Sequence, residues 1–189
     1  MKYVADVLTA LRVLSALVVL LSAYHGAWAL ATAVFLFGIL SDAFDGPAAR
    51  RWQYTDEENA RKWWRKDPHV LDNIADVSLN GAGMVALGFT LLPVWAAIVT
   101  IVTVGAVSFG IQMVVDHVGP EDPERAERID VRHGWLFGAE LAFMLVSLTV
   151  LATPDWPLVI AVYVVGSVPL LWFKWDRVTS RQELDYGAK

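Results

Sequence analysis

The chain contains no cysteine. Disulfides, thiolate metal sites and cysteine nucleophiles are therefore excluded, while the redox compartment stays open. Charge is scarce: 19% of the 189 residues are Asp, Glu, Lys or Arg, against about 25% in a soluble domain. Positive charge is not in excess. Fifteen basic residues against 20 acidic ones give a net charge of −5, which argues against a basic face for nucleic acid, so no nucleic-acid partner is expected. There is neither an internal repeat nor a low-complexity tract. What fills the chain is apolar: 56% hydrophobic residues and a mean hydropathy of +0.46. That excludes intrinsic disorder. Nine tryptophans are present, several near the ends of apolar runs, as in an aromatic belt at a membrane interface.

The apolar runs predict an all-α integral membrane protein of one domain, 1–189, with six transmembrane helices. The spans read as 7–23, 27–45, 69–91, 94–115, 134–152 and 157–173, each near the roughly 20 residues that cross a bilayer. A soluble bundle would show a polar stripe at helical period, but Val94–Gly110 and Leu141–Pro154 carry no charged residue on any face. Arg12 interrupts the first apolar stretch, and no small-residue cleavage site with a soluble domain behind it follows. The first span therefore reads as a mature helix and not as a signal peptide.

Orientation follows from the basic residues. With Lys2 on the cytoplasmic side, six crossings place 14 of the 15 Lys and Arg residues in cytoplasmic segments, and Arg12 inside the first helix. The turns at Tyr24–Gly26, Leu92–Pro93 and Thr153–Trp156 hold none. The positive-inside rule then puts both termini in the cytoplasm. Two stretches are not spans. Residues 51–66, charged and Trp-rich, read as an interfacial amphipathic helix, a solvated loop or an insertion. Gly119–Arg132 reads as a solvated acidic-basic loop.

The acids are the informative feature. Asp42 and Asp45 lie at the cytoplasmic end of the second span, Asp72 and Asp76 at the cytoplasmic start of the third. An aspartate at a helix centre costs about 2.5–3.5 kcal/mol to insert. The cost is lower near an end, but four acids at one depth on consecutive antiparallel helices form a pattern. Spacings of i, i+3 and i, i+4 put each pair on one helix face. Four carboxylates in one small space must protonate or gather cations. Oxygen donors without sulfur or paired histidines favour Mg²⁺, Mn²⁺ or Ca²⁺ over zinc, and two ions bridged by carboxylates suit phosphoryl displacement. The plainer reading is helix capping, with Asp67 before Pro68 at a helix start. It does not explain Asp42 and Asp45 at a helix C-terminus, where the dipole disfavours acids. Beside them, Gly46 admits close backbone approach, Ala49 leaves room one turn on, and Arg50 is suited to gripping phosphate.

Together these residues resemble the signature of the CDP-alcohol phosphotransferase (CDP-alcohol phosphatidyltransferase) family, D-x-x-D-G-x-x-A-R followed after a spacer by G-x-x-x-D-x-x-x-D. It stands here as Asp42, Asp45, Gly46, Ala49 and Arg50, then Pro68, Asp72 and Asp76. Seven of the eight signature residues match in order. Pro68 replaces the second glycine, and the 17 residues between Arg50 and Pro68 exceed the family's usual spacer.

The resemblance implies a homodimeric membrane enzyme of phospholipid synthesis. It would transfer a phosphatidyl or related group from a CDP-linked lipid, commonly CDP-diacylglycerol, to an alcohol, releasing CMP. By carry-over, Asp42, Asp45, Asp72 and Asp76 would ligand two divalent cations, Mg²⁺ or Mn²⁺. Asp76 would also be the general base, and Asp42, Asp45, Gly46, Ala49 and Arg50 would line the CDP site.

Further candidates are acceptor contacts: Arg12, an intramembrane arginine that would otherwise snorkel to the interface; Arg132; and His133 with Glu140, seven residues apart. Lys174 and Arg177 at the mouth could meet an acceptor phosphate but read more readily as topology signals. Gln112 and Asp116 are weaker candidates. Asn80, Gly81 and Gly83 read as helix packing, and His25, His69 and His117 show no ligand spacing. Competing readings are a UbiA-type prenyltransferase, a cation transporter and an inactive family member.

Overall fold

The computed structural model describes residues 3–52, 68–118 and 123–167, and their regular secondary structure is entirely helical. Helix α1 spans Val4–Tyr24, α2 Trp28–Trp52, α3 Pro68–Leu91, α4 Val94–Val118 and α5 Pro123–Ala152. A sixth helix, α6, is described over Trp156–Ser167.

The end of α1 shows why the chain reverses there. Gly26 adopts φ +70°, a left-handed conformation that glycine takes without steric cost. Its N–H donates to the Ala23 carbonyl at 3.0 Å, and the Ala27 N–H to the Ser22 carbonyl at 2.8 Å. These two bonds are the Schellman arrangement, which satisfies the last carbonyls of a helix. After α3, Pro93 blocks continuation and its carbonyl receives the Ala97 N–H at 3.0 Å. After α5, the Thr153 hydroxyl accepts the Asp155 N–H at 3.2 Å. The three turns are the three expected to lack basic residues.

The buried positions recur at helical period. In α1 they are Arg12, Ser15, Ala16, Val19 and Ser22; in α2, Ala31, Phe35 and Ile39; in α3, Ala75, Leu79, Ala82 and Ala86; in α5, Leu141, Leu145 and Leu148. Helix α1 packs broadly against both α2 and α3, whereas α2 and α3 meet only briefly. Helix α5 lies against α2, and α4 sits outside α3 and α5. Close approach is set by small residues: a Cβ on Gly83 would lie 2.7 Å from Met144 Sδ and 2.9 Å from Phe35 Cε2. Gly81 has nothing within 4 Å of such a Cβ, so of the two glycines only Gly83 carries the packing expected of both.

The apolar core also encloses polar residues, and the outside is apolar. Arg12, Ser15, Ser22, Thr32, Ser41, Asn80 and Thr149 are buried, while Leu14, Leu17, Leu21, Phe37, Trp95, Val99, Val102 and Phe143 are exposed. Some buried hydroxyls answer their own helices, as Ser41 does with the Gly38 carbonyl and Thr149 with the Leu145 carbonyl, each at 2.7 Å. An apolar exterior, with the polar groups turned inward, suits lipid. Among the described residues, four helices are long and apolar enough to cross a membrane: Asp6–Tyr24, Ile74–Leu91, Val94–Ile111 and Trp135–Ala152. Within the expected second span, the described apolar stretch is Trp28–Asp42. The expected sixth is described only to Ser167.

Two expectations are corrected. Asp42 and Asp45 do not lie at a helix C-terminus; α2 continues through Gly46 and Pro47 to Trp52. Gly119–Arg132 is not all loop, because α5 begins at Pro123. Its charged first turns are polar and rich in good helix formers such as Glu, Arg and Ala, so the helix starts well before the apolar run that begins at Trp135. Of the 51–66 stretch, Arg51 and Trp52 finish α2; the remainder lies outside the described residues.

Candidate active site

Three helices converge at one end of the bundle. Asp42 continues the buried line Phe35–Ile39 on α2, Asp76 adjoins buried Ala75 on α3, and Arg12 continues Ala16 and Val19 on α1. The acids and the arginine therefore close the end of the same core. Arg12 Nη2 lies 3.0 Å from Asp42 Oδ1, and Arg12 Nη1 donates to Asp76 Oδ1 at 2.5 Å. One guanidinium thus joins two carboxylates from different helices. Its side chain has 0% exposure, while those of Asp42 and Asp76 keep 35% and 28%. The arginine is the inner layer, and the carboxylates face an opening.

Burial excludes snorkelling as the reason for Arg12. A fully buried cation needs paired, hydrogen-bonded anions, and removing one partner of such a group costs about 3–5 kcal/mol. One positive and two negative charges leave the trio net negative, so its outer side favours cations.

Asp45 and Asp72 lie on α2 and α3 one turn from Asp42 and Asp76 respectively, a spacing that shares a helix face. Gly46, Ala49 and Arg50 follow on the same continuous α2. The side chains of Asp45, Ala49, Arg50 and Asp72 lie outside the described set. Among the described residues no group of three or more His, Asp or Glu is placed to hold a metal, and only Asp42 and Asp76 of the four signature acids are described to the side chain. The chemistry of the donors nevertheless fits Mg²⁺ or Mn²⁺: the two described acids, Asp42 and Asp76, bring carboxylate oxygens together from two helices, and oxygen donors suit these ions.

Of the expected acceptor contacts, Arg12 is joined to Asp42 and Asp76. Arg132 and His133 lie on the early part of α5, with side chains outside the described set. Glu140 accepts a hydrogen bond from Asn80 Nδ2 at 3.3 Å. Asn80 stands one turn deeper than Asp76 on α3, so a polar contact crosses to α5 just beneath the acids. Sequence spacing did carry that signal, since Asp72, Asp76 and Asn80 recur every four residues, but it could not supply the partner. Glu140 also lines a cavity of about 210 Å³ between α4 and α5, with Thr103, Val107, Leu136 and Phe137. His25 belongs to the outer turn, edge-on to Tyr24 at 5.2 Å between ring centroids, far along the chain from the acids.

The model of the CDP-alcohol phosphatidyltransferase family matches residues 2–173. The chain belongs to this family, whose members are transferases of substituted phosphate groups and integral to membranes. No curated protein and no solved structure matches the chain.

Proposed function

We propose that the protein transfers a phosphatidyl group from CDP-diacylglycerol, or a closely related CDP-linked lipid, to an alcohol. The alcohol oxygen attacks the phosphorus that bears the lipid, the bond from that phosphorus to the bridging oxygen breaks, and CMP leaves. Asp76 accepts the hydroxyl proton. The observation that carries this reading is the convergence of Asp42 and Asp76 on Arg12, in a chain of this family.

Asp42, Asp45, Asp72 and Asp76 would hold two Mg²⁺ or Mn²⁺ ions. Bound there, the ions supply the positive field that lets a pyrophosphate enter a nest of carboxylates and that stabilises departing CMP. Gly46, Ala49 and Arg50, with Asp42 and Asp45, form the CDP-binding face of α2. Arg132, His133 and Glu140 are the acceptor-side candidates on α5. The positive-inside pattern puts the acids and both termini at the cytoplasmic surface, where a soluble alcohol meets a lipid without crossing the membrane. A homodimer is the expected assembly; the apolar face of α4, only 6% buried within one chain, is free for lipid or a second copy.

The test is CMP release from CDP-diacylglycerol in detergent or vesicles, with a panel of alcohols and with Mg²⁺ or Mn²⁺ supplied after chelation. Release that needs both metal and one alcohol supports the reading and identifies the acceptor. Release that survives exhaustive chelation removes the metal mechanism. No release with any alcohol, from folded protein, removes the donor assignment.

A further inference from the structure

We propose that Arg12 is a positioning residue for the transfer reaction: its guanidinium holds Asp42 on α2 and Asp76 on α3 side by side, and so fixes the separation of the two halves of the acid motif. The inference rests on the proposed reading that these acids serve the reaction. It goes beyond that reading by giving a role to a residue outside the signature.

The packing makes such a device necessary. Among the described residues, helices α2 and α3 share few direct contacts, and α1 packs broadly on both. Among these residues, Asp42 and Asp76 are therefore related to each other through α1. Arg12 is the point on α1 from which a polar contact reaches both partners. Its terminal nitrogens divide the task, Nη1 to Asp76 and Nη2 to Asp42. A planar guanidinium presents those donors in a rigid fork, whereas a lysine offers a single ammonium on a flexible stem. Full burial among Ser15, Ala16 and Val19 keeps the fork from turning to solvent. An arginine that met a phosphorylated acceptor would need an open approach; this one has 0% exposure. The Oδ1 atoms it grips fix the rotation of each carboxylate, and so the direction in which the second oxygen of Asp76 points. For a base that must meet one hydroxyl proton, direction is a condition of rate.

The absence of native cysteine gives a direct test. Nitroxide labels on Phe44→Cys and Val77→Cys, exposed positions on α2 and α3, report the helix separation by pulsed dipolar spectroscopy. The same full-length chain is measured with Arg12, Arg12→Lys and Arg12→Met, and kcat and KM for CMP release are measured on the unlabelled proteins. A shifted or broadened distance in both variants, with kcat lowered about 10–100-fold as for other residues that orient a site and KM for CDP-diacylglycerol little changed, supports the proposal. An unchanged distance distribution overturns it. So does a lower unfolding temperature with unchanged kcat, which is what a purely structural ion pair would give. If Arg12→Met does not fold, Arg12→Lys decides, since it keeps the charge and removes only the fork. A native chain that releases no CMP overturns the proposed function, and the label distance still decides whether Arg12 sets the separation.

Discussion

Arg12 and Asp76 are 64 residues apart in the chain, yet Arg12 Nη1 donates to Asp76 Oδ1 at 2.5 Å. Asp42 Oδ1 lies 3.0 Å from Nη2 of the same side chain. The first three helices thus meet at one charged point, and Asp42 and Asp76 are joined by a residue from outside their motif.

Asp76→Asn keeps an oxygen for Arg12 and removes the proposed base. CMP release by the folded variant is expected to fall about 10²–10⁴-fold in kcat, the range for loss of a positioned proton acceptor. A wild-type kcat in this variant assigns the base elsewhere.

Gly83 and Gly81 should answer differently to alanine. At Gly83 the new Cβ would meet Met144 Sδ at 2.7 Å and the ring of fully buried Phe35 at 2.9 Å. Met144 can give way, but the ring is enclosed, so overpacking is expected to cost about 1–3 kcal/mol. At Gly81 nothing lies within 4 Å, and helix propensity predicts a gain of up to about 1 kcal/mol. Thermal unfolding in detergent reads both. Equal effects at the two sites would contradict the α3 packing.

The Asn80–Glu140 hydrogen bond, at 3.3 Å, predicts a modest effect. Hydrogen bonds between membrane helices average about 0.6 kcal/mol, and those to charged groups reach more. Asn80→Leu is expected to lower stability by about 1 kcal/mol, whereas Glu140→Gln keeps an acceptor oxygen and should unfold near the native temperature. An Asn80→Leu protein more stable than native would show that the contact contributes nothing.

Orientation is open to single-cysteine labelling, again because the native chain has none. Cysteine at Leu92 or Asp155, in the turns after α3 and α5, should react with a membrane-impermeant thiol reagent on intact cells. Cysteine at Arg125, at the start of α5, should react only after permeabilisation. The reverse pattern would put the acids on the outer face.

Much of this protein is determined by local chemistry. Runs of apolar residues near bilayer length specify helices whatever surrounds them, because backbone groups in lipid must bond within their own segment. The family, too, is written locally: the spacing of Asp42, Asp45, Gly46, Ala49 and Arg50 on one helix and of Asp72 and Asp76 on the next needs no partner to be read. Helix ends were less legible. Residues 123–132 are helical although polar, and α2 passes beyond Asp45 through Pro47, since hydropathy marks where lipid is met and not where a helix stops.

The placement of Arg12 was decided only in three dimensions. In sequence it is one arginine two turns into an apolar helix, compatible with snorkelling, with ligand binding or with burial. Which of these holds depends on what stands opposite, and that is fixed by α1 packing on both α2 and α3. The same is true of Asn80, whose partner Glu140 is 60 residues away, and of Gly83, whose neighbours come from α2 and α5. Periodicity assigns a residue to a face of its own helix. Only the tertiary packing supplies the charge, the hydrogen bond or the side chain that the face meets.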